Sequence, residues 1–110
     1  MLKTGNYLFL EKGDNIVTIS MTPELQDDIG TVGFVEFTEE KQLKKEDAIA
    51  HIEASKTVLE IISPVTGTVV EINEAAIDNP KMLNSADTAE NWLVKLTDVS
   101  SEDFDSLADA

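Results

Sequence analysis

Reactive side chains are few in this chain. Its 110 residues include no cysteine and a single histidine, His51. That removes thiolate nucleophiles, Cys/His zinc sites and any catalysis needing two imidazoles. The acidic residues lack the spacing of a calcium loop, so no metal site is expected. His51 has no nucleophile beside it in the sequence, and no catalytic residue is assigned. What remains is an amine. From Ala48 to Asn73 the sequence AIAHIEASKTVLEIISPVTGTVVEIN sets two alternating apolar runs around a polar tip, Ala54-Ser55-Lys56-Thr57. With Ser55 and Lys56 as the central turn residues, counting outward pairs Ile52 with Leu59 and Ala50 with Ile61 on one face. The other face then pairs Glu53 with Val58, His51 with Glu60, and Ile49 with Ile62. The Ile52/Leu59 side is the expected core face. Lys56 stands at the exposed apex of a stiff hairpin. A tip lysine alone is ordinary surface chemistry, with neither a pKa perturber nor a partner legible in the sequence.

The elements that must hold this tip are mostly strands. Val17, Ile19 and Met21 share one face of a segment whose other face carries Thr18 and Ser20. Phe34 and Glu36 oppose Val35 and Phe37. Ile49–Glu53, Val58–Ile62, Thr68–Ile72 and Leu93–Leu96 are further short runs rich in β-branched residues. Turn chemistry separates them at Gly13-Asp14-Asn15, Gly30-Thr31-Val32-Gly33, Pro64-Val65-Thr66-Gly67 and Asn79-Pro80. Gly67 is expected to supply an unusual turn angle. Many short strands at close spacing read as a sandwich or barrel. Three helical pieces interrupt them. Thr22-Pro23-Glu24-Leu25 offers a cap, a proline at the first helical position and an early acid, with Gly30 as the stop. A single turn is expected around Asn79-Pro80-Lys81-Met82-Leu83. The tail from Ser101 to Ala108 has a capping serine and a stripe of Phe104, Leu107 and Ala108 that can dock on the sheets. Trp92 is expected to pack at a sheet edge or in the core. Residues 1–5 and 109–110 are expected to fray.

The length fits one domain, 1–110, and 42% hydrophobic with 27% charged residues is a composition that folds. Lysine and arginine number 8 against 22 acids, a net charge of −14. So acidic a surface repels phosphate backbones and anionic lipid, so nucleic-acid and membrane partners are not expected, whereas basic protein surfaces are. No signal-peptide pattern or long apolar run is present, and the expected setting is cytoplasmic and monomeric.

The tip lysine, the acid three residues before it (Glu53) and the downstream Ser63-Pro64-Val65-Thr66-Gly67-Thr68-Val69-Val70 together resemble a lipoyl-attachment hairpin. The resemblance extends along the chain. Val17-Thr18-Ile19-Ser20-Met21-Thr22-Pro23, Leu25-Gln26-Asp27-Asp28-Ile29-Gly30 and Val35-Glu36-Phe37 are similar to the first half of the glycine cleavage system H protein. Glu71-Ile72-Asn73-Glu74-Ala75, Asp78-Asn79-Pro80, Leu83-Asn84 and Trp92-Leu93-Val94-Lys95 match its second half. Residues 15 to 97 are covered in order.

The resemblance implies a mainly β, flattened barrel-sandwich hybrid of the lipoyl/biotinyl-carrier type, with short helices including one at the C-terminus. It implies lipoate as covalent cofactor on Lys56, with Glu53, Ser55 and Thr57 read by a lipoate-protein ligase or lipoyltransferase. The protein itself would be a non-catalytic carrier of a swinging arm. Biotin is the competing attachment, but biotinyl lysines sit between methionines, and here Ser55 and Thr57 flank Lys56. The family's enzymes would be glycine decarboxylase, aminomethyltransferase and dihydrolipoamide dehydrogenase. This chain departs from the family pattern at Asn6-Tyr7-Leu8-Phe9-Leu10, where a Glu-His-Glu-Trp-like run is usual, and at Ser85–Asn91, which lacks the usual glycines and aromatic. Short H-like proteins of this kind also imply an oxidative-stress role beside macrodomain and sirtuin-type ADP-ribosylation enzymes, with Glu24, Asp27 and Asp28 as acceptor candidates. Against that, acids in the first turns of a helix favour its dipole and face water. Two further roles are a relay of lipoyl groups to dehydrogenase E2 subunits and an unmodified acidic interaction module.

Overall fold

The computed structural model describes residues 1–110. Its strands are β1 (Leu2–Gly5), β2 (Leu8–Gly13), β3 (Ile16–Met21), β4 (Val32–Phe37), β5 (Gln42–Leu43), β6 (Ala48–Ala54), β7 (Val58–Ile62), β8 (Gly67–Ile72), β9 (Trp92–Thr97) and β10 (Ala108–Asp109). They form two antiparallel sheets: a seven-stranded one in the order β10-β1-β2-β3-β9-β8-β5, and a three-stranded one, β4-β6-β7. Neither closes into a barrel. Helices α1 (Pro23–Ile29), α2 (Ala75–Asp78), α3 (Thr88–Asn91) and α4 (Ser101–Asp105), with a 3₁₀ turn at Pro80–Asn84, fill the connections. One cluster of 22 buried apolar residues lies between the sheets. Alternation dictates its membership: Val17, Ile19 and Met21 from β3 and Val35 and Phe37 from β4 point inward, while Phe34 and Glu36 point out.

α1 starts as its residues require. Thr22 Oγ1 accepts the Leu25 amide at 3.1 Å, Pro23 opens the helix, and Gly30 ends it with a φ of 80°. Val32 and Gly33, expected in the turn after it, already belong to β4.

Four other expectations are corrected. Residues 1–5 and 109–110 do not fray: β1 pairs with both β2 and β10, and Lys3 Nζ lies 3.0 Å from Asp109. β1, β2, β5, α2 and α3 carry too few alternating or helical turns to stand out in sequence. The last helix is capped by Ser100, whose Oγ accepts the Asp103 amide at 3.2 Å, and not by Ser101. It ends at Asp105, so Ala108 leaves the Phe104 stripe and pairs as exposed strand, while Phe104 alone is sealed at 1% exposure. Gly67 has an ordinary angle and sits within β8. A Cβ there would meet Val99 Cγ2 at 3.0 Å and the Thr97 carbonyl at 3.3 Å, so the glycine serves close approach and not a turn.

Candidate functional site

The hairpin β6–β7 forms in the register that its alternation dictates over most of its length. Ala50 pairs with Ile61, His51 with Glu60, Ile52 with Leu59 and Glu53 with Val58. The Ala54 amide donates to the Thr57 carbonyl at 2.9 Å, leaving Ser55 and Lys56 as the turn. The register fails only at the far end. Ile62 pairs with Ala48 and not with Ile49, because the ladder slips between Ala48 and Ala50. The irregularity rotates Ile49 off the outer face and buries it at 0% exposure.

The tip is tied on one side to the end of α1 and the start of β4. The Lys56 amide donates to the Ile29 carbonyl at 3.0 Å, and the Ser55 amide to the Thr31 carbonyl at 2.9 Å. Ser55 Oγ accepts the Thr31 amide at 2.9 Å. Gly30 lies directly beneath. A Cβ on it would fall on Ser55 Oγ and within 3.1 Å of Lys56 Cγ. Asn84 secures the same junction from the other side, donating to the Gly30 carbonyl and accepting the Val32 amide, each at 2.8 Å. Gln26 anchors α1 to the 3₁₀ turn through the Leu83 and Ser85 carbonyls, at 2.9 and 2.7 Å. The apex is therefore braced and rigid.

Lys56 remains exposed, but it does have a partner. Its Nζ donates to the Asp27 carbonyl at 2.9 Å, in the last turn of α1. A cation there is favourable to the helix dipole. Asp27 and Asp28 occupy that same last turn and only Glu24 the first, so the dipole argument expected for all three acids holds for Glu24 alone. All three carboxylates are exposed. Glu53, Ser55 and Thr57 surround the tip and are exposed as well, Ser55 through a side chain already used in bracing.

His51 is the best-connected polar side chain of the hairpin. Its Nε2 lies 3.2 Å from Glu53 Oε2 and its Nδ1 3.1 Å from Glu60 Oε1. The hydrogen bond to Glu53, then that to Glu60, raises the imidazole pKa above its ordinary value against a smaller desolvation effect. Sequence counting found the Glu60 contact; the Glu53 contact, two residues along one strand, it missed. The Ser63–Gly67 stretch is structural. Ser63 is fully buried with its Oγ donating to the Val65 carbonyl at 2.7 Å, and Asp103 of α4 accepts the Thr66 amide at 2.9 Å. Trp92 is half-buried on the outer side of the seven-stranded sheet, with Lys95 Nζ 4.9 Å from its ring centre.

Residues 3–110 match the family model described as "Glycine cleavage H-protein". The chain is 51% identical over 110 residues to a glycine cleavage system H-like protein of Staphylococcus aureus, covering 100% of both chains. It is 36% identical over 108 residues to a glycine cleavage system H protein of Listeria welshimeri, covering 97% of this chain and 86% of that one. Its fold matches the crystal structure of a glycine cleavage system H protein from Mycobacterium marinum with a TM-score of 0.82 at 22% identity, over 99% of this chain and 89% of the other.

Proposed function

This chain belongs to the glycine cleavage H-protein family, and we propose from that premise that it carries lipoate as an amide on Lys56. The family's members are non-catalytic carriers. The observation that carries the assignment to Lys56 is its position: exposed at the apex of a two-residue turn that is braced through Ile29, Thr31 and Asn84. The residues fit the group. The ammonium is held by one backbone carbonyl, so releasing it for acylation breaks nothing in the core. Attached lipoate supplies redox and group-transfer chemistry through its disulfide. The chain supplies a stem that does not bend, so the arm's mobility begins at the lysine side chain and its reach is confined near the docked enzyme. Glu53 and Thr57 are the exposed side chains that an acylating enzyme can read; Ser55 shapes the turn. The enzymes served are those of glycine cleavage.

Intact mass with peptide mapping, after co-expression with a lipoate-protein ligase, tests this. A lipoyl-sized increment on Lys56 that is absent from Lys56→Arg is the expected result. An unmodified chain beside a ligase shown active on another acceptor overturns it.

One contact favours a second reading, in which the arm's loading is read out by modification of α1. The Asp27 carbonyl holds Lys56 Nζ, so acylation happens beside the exposed Asp27 and Asp28 carboxylates. ADP-ribosylation at Asp27, Asp28 or Glu24 would then mark the loaded carrier for a stress-linked role. An ADP-ribose increment mapped to α1 supports it. Full glycine–bicarbonate exchange with glycine decarboxylase, and no such increment when the sirtuin-type enzyme is added, removes it.

A further inference from the structure

The outer face of the three-stranded sheet carries two cross-strand rows beside the tip. The nearer row is Phe34, Glu53 and Val58; the next is Glu36, His51 and Glu60. Phe34 is 45% exposed and Val58 60%, two of the larger apolar surfaces on the protein. They flank a single carboxylate, and Phe34 stands edge-on to the His51 ring with centres 6.4 Å apart. The second row puts a carboxylate on either side of the imidazole, so the groups facing His51 are Glu36 from β4, Glu53 from β6 and Glu60 from β7. No lysine shares these rows.

This arrangement suits one kind of ligand group. A guanidinium is planar, stacks on an aromatic ring and donates two parallel hydrogen bonds to a carboxylate, whereas an ammonium does neither. Glu53 with Phe34 and Val58 at its sides offers both contacts together, and the surrounding acids exclude an acidic partner. Resting on the Lys56 reading above, we propose that this face is the docking surface of the enzyme that acylates Lys56, that it seats an arginine of that enzyme on Glu53 between Phe34 and Val58, and that His51 competes with the arginine for Glu53.

The competition has a direction. Imidazolium engages Glu53 at Nε2 and Glu60 at Nδ1 simultaneously. Neutral imidazole has one N–H and can hold only one of the two carboxylates. Deprotonation thus frees a carboxylate and leaves the face one charge more negative, so docking strengthens as pH rises through the His51 titration.

The test is lipoylation of the intact chain by lipoate-protein ligase with lipoate and ATP, read as KM and kcat between pH 5.5 and pH 8.5. Taking the ratio of wild type to His51→Gln at each pH cancels the ligase's own titrations. Wild type is expected to show a KM about three- to tenfold higher than His51→Gln at the acid end, converging at the alkaline end, with kcat unchanged. His51→Lys, permanently charged, should hold the acid-end KM throughout. Phe34→Ser with Val58→Ser, both exposed and outside the core, should raise KM about tenfold at every pH. A constant ratio across pH, or an unchanged KM in the double variant, overturns the inference while Lys56 acylation stands. No acylation of Lys56 under any condition overturns the carrier reading and this inference with it.

Discussion

Gly30 and His51 are the two residues whose replacement tells most about the site. Gly30 has a φ of 80°, and any Cβ on it collides with Ser55. Gly30→Ala should therefore destabilise the fold by about 1–3 kcal/mol and displace the tip as well, visible as a lower urea midpoint together with slower Lys56 acylation. His51 has a raised pKa in the folded state. Its contribution to stability is thus fully present below the ordinary imidazole value of 6.5 and is lost as pH rises through the raised folded value. His51→Gln should be less stable than wild type at pH 5.5 and equal to it at pH 8.5, measured by denaturant unfolding. Lys56 itself was legible, because a tip is defined by the alternation on either side of it. Its bond to the Asp27 carbonyl was not, since nothing local brings residues 29 positions apart together.

At the scale of elements, the hairpin shows what pattern can and cannot specify. Period-two alternation set the pairing of residues 50 to 61, because a one-residue slip would turn Ile52 and Ile61 out to water. It could not foresee the irregularity at Ala48–Ala50, which is resolved in favour of burying Ile49. The helices follow the same division. α1 announces itself with Thr22, Pro23 and Gly30, whereas α2 and α3, four residues each, are too short for a periodic signal. Asp87 caps α3 by accepting the Ala89 amide at 2.9 Å, and Asn73 bonds to the Glu90 and Trp92 carbonyls. α4 is held by one buried ring, Phe104, and by Asp103 on the Thr66 amide. Phe104→Ala should cost about 3–5 kcal/mol. Because the helix leads into β10, the β1–β10 pair should open with it, seen as faster hydrogen exchange at the Ala110 amide, which donates to the Leu2 carbonyl at 3.2 Å.

For the whole molecule, charge and topology set how it meets others. A net charge of −14 gives every basic enzyme surface a favourable approach, and the apparent affinity for the acylating enzyme should fall about tenfold between roughly 50 and 500 mM salt, measured as KM. Composition made that much legible; the two-sheet arrangement required the family resemblance, since alternating strands alone fit barrels and sandwiches equally. The strand order also settles the sheet margins. The seven-stranded sheet ends in β5 and β10, two residues each, too brief to template another chain. On β4 the Asn84 amide and the 3₁₀ turn occupy the margin where the strand begins. β7 is different: it pairs only with β6, and on its outer side only the Asn6 amide at Ile62 and the Thr57 hydroxyl at Val58 make contact. A fibril propagates by joining unlike margins in turn; two copies joined β7 to β7 would each use up that margin, so this contact by itself closes at a pair.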